Sequence, residues 1–60
     1  MTREEFLERL KTLKTDDEWL AFEQECFNTL TEEEKDEIGA AAMPLIETCA
    51  HIRWKRGNHG

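Results

Sequence analysis

The stretch Ile38-Gly39-Ala40-Ala41-Ala42-Met43-Pro44-Leu45-Ile46-Glu47-Thr48-Cys49-Ala50-His51-Ile52 decides how this chain folds. Placed on a helix at about 100° per residue, Ile38, Ala41, Ala42, Leu45, Ile46, Cys49 and Ile52 keep one apolar stripe. Pro44 lies inside the stretch. Proline has no amide to offer the carbonyl of residue 40, and its ring crowds that turn, so the helix must either break or bend. The stripe keeps its phase across the proline, and Pro44 itself projects about 120° from the stripe's centre. This pattern predicts one long helix over 32–55, kinked at Pro44 with the ring outside, rather than two separate helices. Gly39 softens the same region, and Gly39-Ala40-Ala41-Ala42 allows another backbone to come close.

The same helix carries a second apolar surface. Gly39, Met43, Ala50 and Trp54 lie about 100–160° round from the first stripe, and Ile46 joins the two. Only Pro44, Glu47, Thr48, His51 and Lys55 make a polar sector. A helix that is apolar over most of its circumference is covered on two sides. Either the first two helices cover one side each, or a second chain covers what they leave. The expectation adopted is the latter, with Met43, Ile46, Ala50, Arg53 and Trp54 as partner-binding residues. Trp54 leads this set because tryptophan and arginine dominate interface hot spots, and Arg53 and Arg56 flank it.

Working outward, three Thr-x-x-Glu sequences mark helix starts: Thr2 to Glu5, Thr15 to Glu18, and Thr31 to Glu34. In this box the threonine oxygen accepts from the amide three residues on, and the glutamate reaches back to the threonine amide. The first helix is predicted over 3–13, with Phe6, Leu7, Leu10 and Leu13 on one face and Met1 able to staple against Phe6. The second is predicted over 16–29, with Trp19, Leu20, Phe22, Cys26, Phe27 and Leu30 in a stripe about 160° wide. Glu23 falls inside that stripe. It either snorkels to the edge or forms a buried pair with Arg3, Arg9 or a partner's cation. The fold expected is all-α, a small three-helix domain over residues 1–56, with a frayed tail at 57–60. A chain this short is marginal alone, which favours a homodimer.

The chain has 60 residues, 14 acidic and 8 basic, and a formal net charge of −6. Charge is segregated: residues 1–15 sum to +1, 16–50 to −10 and 51–60 to +3. So acidic a middle argues against direct nucleic-acid binding. Glu32, Glu33, Glu34, Asp36 and Glu37 form the densest acidic surface, suited to a basic protein or to mimicry of a phosphate backbone. No run of residues is apolar enough to span a membrane, and the first ten residues lack a secretory apolar core, so the expected location is cytoplasmic.

The residues for familiar chemistries are missing. There is no serine for a hydrolase triad and no glycine-rich phosphate loop. Cys26, Cys49, His51 and His59 do not have zinc-site spacing. The two cysteines fall on apolar faces and read as reduced, buried hydrophobes. No metal, cofactor or small-molecule substrate is expected, and the chain is not expected to be an enzyme.

Leu10 to Cys49 resembles the Hha family of small bacterial nucleoid-protein modulators. A leucine-rich first helix, Thr15 and Asp17 opening a second, Leu30-Thr31-Glu32-Glu33-Glu34 and then Ala41-Ala42 carry the resemblance. It departs at Met43 and Pro44, where the family has an acidic residue, and in its more extreme acidity. The resemblance implies an all-helical fold and a DNA-silencing protein as partner. In size and composition the chain is also similar to accessory proteins of phages and mobile elements. The function expected is therefore a small acidic non-enzymatic protein-binding module, of the phage or mobile-element accessory type, that engages itself and a host regulatory protein through the third helix. The alternative is an acidic nucleic-acid mimic or Hha-like modulator of a nucleoid protein.

Overall fold

The computed structural model describes residues 1–57; of the tail expected to fray at 57–60, Gly57 is the last residue of a helix and 58–60 lie outside the described residues. The described chain is helical throughout, with no strand. Helix α1 spans Arg3–Thr12 and α2 spans Asp16–Thr29. The third segment is α3 (Glu32–Ile38), a 3-10 turn (Gly39–Ala42) and α4 (Met43–Gly57).

All three predicted threonine caps form. Thr2, Thr15 and Thr31 accept from the amides of Glu5, Glu18 and Glu34, each at 3.2 Å. Only Thr31 completes the reciprocal box, its own amide donating to Glu34 Oε1 at 3.0 Å. The first turns of α1, α2 and α3 hold Glu4 and Glu5, then Asp16, Asp17 and Glu18, then Glu32, Glu33 and Glu34. Their negative charge suits the positive ends of the helix dipoles. The two helix-to-helix links are short, residues 13–15 and 30–31, and the principal helix contact is α2 on α4.

The interruption of the third segment falls at Gly39, five residues before the proline. Gly39 has φ 52° and ψ −129°, a conformation glycine adopts freely and other residues resist. Its amide still donates to the Lys35 carbonyl, so α3 is closed off cleanly. Pro44 is the second residue of α4. Amides in a helix's first turn have no earlier carbonyl to bond, so a proline there costs nothing. The expected single helix over 32–55 is thus interrupted at Gly39, and Pro44 falls in the first turn of α4, where proline is tolerated.

Phe6 of α1, Phe22 and Cys26 of α2, Ile38 of α3, Ala41 of the turn, and Leu45 and Cys49 of α4 make one core. The Phe6 and Phe22 rings lie 5.5 Å apart, tilted by 37°. The Arg9 guanidinium caps the cluster, 4.8 Å above the Phe22 ring. Both cysteines are free and buried, and burial pushes both thiols up in pKa. The Cys49 Sγ donates to the Trp19 carbonyl at 3.4 Å. Helix α2 runs antiparallel along α4, so Asp16 and Asp17 at its start meet Lys55 and Arg56 at the end of α4. Helix α1 packs on the 3-10 turn and on α3.

The Met1 ammonium pairs with the Glu34 carboxylate. That ammonium and the Thr31 amide hold the Glu34 carboxyl at about 2, well below the usual carboxylate range. Because the folded value lies below the unfolded one of about 4.3, the linked stability is complete above that pH and is lost as pH falls toward 2. Glu34→Gln should therefore reduce the acid sensitivity of thermal unfolding between about pH 4.3 and 2, followed by circular dichroism.

Nothing lies within 4 Å of a Cβ built on Gly39, so Gly39→Ala meets no clash and tests the backbone alone. It should cost about 1–2 kcal/mol in urea unfolding.

Candidate functional site

Helix α4 buries one face and leaves the other open. Leu45, Cys49 and Ile52 are buried against the rest of the fold. On the open side Met43, Ile46, Ala50 and Trp54 follow each other at spacings of three, four and four residues. That spacing keeps them within a stripe about 80° wide and about 16 Å long. All four are exposed, Met43 at 50%, Ile46 at 45% and Trp54 at 62%. The Trp54 indole stacks on the His51 ring one turn earlier, centroids 5.9 Å apart and 20° from parallel. This contact orders the indole without covering it.

The stripe continues sideways into an apolar cleft of about 210 Å³ between α2, α3 and α4. Phe27, Leu30, Ile38, Ala42 and Ile46 are among its walls. Phe27 was expected in the buried stripe of the second helix, but it is 61% exposed. The reason is width. Phe22, Glu23 and Cys26 take the part of α2 that faces the core, and Phe27 lies at the outer edge of a stripe too broad for one neighbour to cover. Phe27 thereby joins the open surface. The excessive width of the α2 stripe was the one signal of this in the sequence. Small-molecule clefts typically run from about 300 Å³ upward and bring several polar groups together. This one is smaller and nearly all apolar, so it suits a side chain better than a ligand.

The charged groups at its edge are Glu23 and Lys35. Glu23 is buried, and its carboxylate pairs with Arg53 of α4. Of the readings open for Glu23, burial with an ion pair is the one that forms, although the cation is Arg53 rather than Arg3 or Arg9. Arg53, expected to serve a partner, is thus held within the chain, while its side chain stays 58% exposed. A guanidinium has five donors, so one pair does not exhaust it. The rest of the basic end is also engaged. Arg56 donates to Asp17 at 2.6 Å and Lys55 lies 3.6 Å from Asp16.

The acidic residues of α3 are not brought together into a site. Glu34 serves the cap and the Met1 ammonium, and Glu32 lies 3.5 Å from Lys35. Glu33, Asp36 and Glu37 are exposed on a helix of seven residues. Among the described residues no group of three or more His, Cys, Asp or Glu side chains is placed to hold a metal, and no helix is long and apolar enough to cross a membrane. Comparison of the chain with protein-family models, curated proteins and solved structures finds no match. The functional reading therefore rests on the surface itself.

The Glu23–Arg53 pair should be visible in stability. Arg53→Ala leaves a buried carboxylate without its cation and should cost about 3 kcal/mol. Replacing both residues by leucine should restore most of that loss. Chemical unfolding of the single and double variants measures the difference.

Proposed function

We propose that this chain is a small non-enzymatic protein-binding module that works through the open face of α4, in the manner of an accessory regulator that occupies another protein's surface. One observation carries the reading: Met43, Ile46, Ala50 and Trp54 line up on one helix face open to water, and Ile46 joins that face to the cleft that the exposed Phe27 helps to wall. A soluble monomer seldom leaves so many large apolar side chains contiguous, and such patches mark interaction sites. The patch has the composition of a hot spot, with a tryptophan at one end of the stripe, a phenylalanine at the cleft and an arginine at the margin. The cleft beside it is the size of a pocket for an anchoring side chain rather than for a substrate.

The competing surface, the acidic α3, has less to support it. Its charges complete a cap, pair locally or point into solvent, which is the ordinary behaviour of a solvated helix. The basic end of α4, the other candidate for a charged partner, is neutralised by Glu23, Asp16 and Asp17.

Association should depend on Trp54. Sedimentation of the purified chain across concentration measures self-association, and capture with immobilised chain measures binding to other proteins. Trp54→Ala should weaken whichever association occurs by at least about 30-fold, the scale of a hot-spot truncation. Circular dichroism should stay helical, because Trp54 is 62% exposed and is not part of the buried core. A Trp54→Ala chain that associates like the parent, or a parent chain that binds nothing, would remove this reading.

A further inference from the structure

Glu47, His51 and Trp54 stand on successive turns of α4, along one edge of the open stripe. At about 100° per residue they fall within an arc of about 60°. All three are exposed. The His51 and Trp54 rings are stacked, 5.9 Å between centroids and 20° from parallel. Among the described residues no cation lies within ion-pair distance of Glu47. The edge therefore carries, in order along the helix, a carboxylate that no ion pair engages, an imidazole, and the indole that the binding reading depends on.

We propose that His51 is a proton-responsive control on the open face: the imidazolium, once formed, pairs with Glu47 while its ring stays on the Trp54 indole, and the face then accepts a partner more readily. This concerns the regulation of the protein-binding face and rests on that reading. A neutral imidazole has one N–H to donate, and an imidazolium has two. With its face on the indole, the ring keeps its edge for Glu47, four residues earlier. A carboxylate four residues before a cation is the favoured order on a helix. A cation within about 6 Å of an indole centroid is attracted by the ring, and the imidazole already sits at that distance. The consequence for binding is electrostatic. An occupant that covers the stripe takes water from Glu47 at its border, and an unpaired carboxylate resists this. The proton on His51 supplies the counterion from within the chain. It also holds the indole in one orientation before a partner arrives, so less ordering remains to be done on contact.

The charges around this edge are otherwise occupied. Helix α2 and the 3-10 turn pack on α4. Of the acids that α2 brings, Asp16 faces Lys55, Asp17 takes Arg56 and Glu23 takes Arg53. The 3-10 turn, Gly39–Ala42, carries no charge. On α4 itself Lys55 stands four residues beyond His51, and its ammonium lies 3.6 Å from Asp16. Glu47 is thus the acid left for His51 to meet.

Trp54 emission reads the response, since an imidazolium in contact with an indole quenches it. The Trp54→Phe chain supplies the background from Trp19. Trp54 emission should fall between about pH 8 and 5.5, within the range where histidine changes charge, and His51→Gln should hold it constant. Proton NMR should place the Glu47 side chain against the His51 ring at the lower pH and apart from it at the higher. Whatever association Trp54→Ala weakens should tighten about threefold over the same range, the scale of one exposed ion pair. His51→Gln and Glu47→Gln should both abolish that tightening. Emission that stays flat in the parent, or changes equally in His51→Gln, overturns the coupling of His51 to the indole. Emission that falls with no contact to Glu47 overturns the part given to Glu47. An association indifferent to pH overturns the control of binding. A chain that binds nothing removes the protein-binding reading, and the emission and the Glu47 contact still decide whether the edge responds to protons.

Discussion

Helix α4 is apolar on two faces, and the chain has only one long helix to lay against it. Helix α2 takes that place and covers Leu45, Cys49 and Ile52. Helix α1 is spent on the 3-10 turn and α3, where Phe6 closes the core. Nothing of comparable length is left for Met43, Ala50 and Trp54. The open surface is thus a consequence of counting helices, given a sequence that makes the last of them greasy all round. The antiparallel direction of α2 and α4 is fixed at two levels. Apolar side chains set the contact, and the acidic start of α2 meets the basic end of α4, where each charge also suits its own helix dipole.

The starts of the helices were the most legible part of the sequence. A Thr-x-x-Glu box is a local device, made and satisfied within four residues, and all three threonines do what their spacing implies. The break in the third segment was harder to place because two breakers stand five residues apart. Proline is the stronger breaker in mid-helix, but its penalty vanishes in a first turn. Glycine is weaker, but only it enters the conformation at φ 52° without strain. The chain therefore bends at Gly39 and uses Pro44 as a helix starter. The apolar phase across the proline does not reveal this, because Ile38 and Ala41 before the proline and Leu45, Cys49 and Ile52 after it are buried in the same fold.

For the candidate site, what one helix determines could be read, and what two helices determine could not. That Met43, Ile46, Ala50 and Trp54 share a face follows from periodicity along α4 alone. The exposure of Phe27 depends on how far round α2 its neighbour reaches. The tie between Glu23 and Arg53 depends on register between elements thirty residues apart in sequence. Long side chains make such register hard to anticipate, since an arginine reaches acids over more than one turn. The charge totals did hold a hint. A stretch at −10 followed by an end at +3 brings opposite charges together when the last two long helices run antiparallel.

Where the charge sits also bears on the open face. Most of the net charge of −6 lies away from the open stripe of α4. Six of the eight cations are paired with acids of the same chain, and the uncompensated carboxylates include Glu33, Asp36 and Glu37 on α3 and Glu4 and Glu5 on α1. Neither helix contributes to the open stripe of α4. At physiological ionic strength, charges separated by more than about 8 Å are largely screened. The acidic helices therefore keep most of the negative charge off the open stripe of α4, where Glu47 is the acid that no ion pair engages among the described residues. The same distribution deters indiscriminate contact elsewhere on the chain. The open stripe of α4 is the surface where apolar side chains outnumber charges, and Glu47 stands exposed at its border.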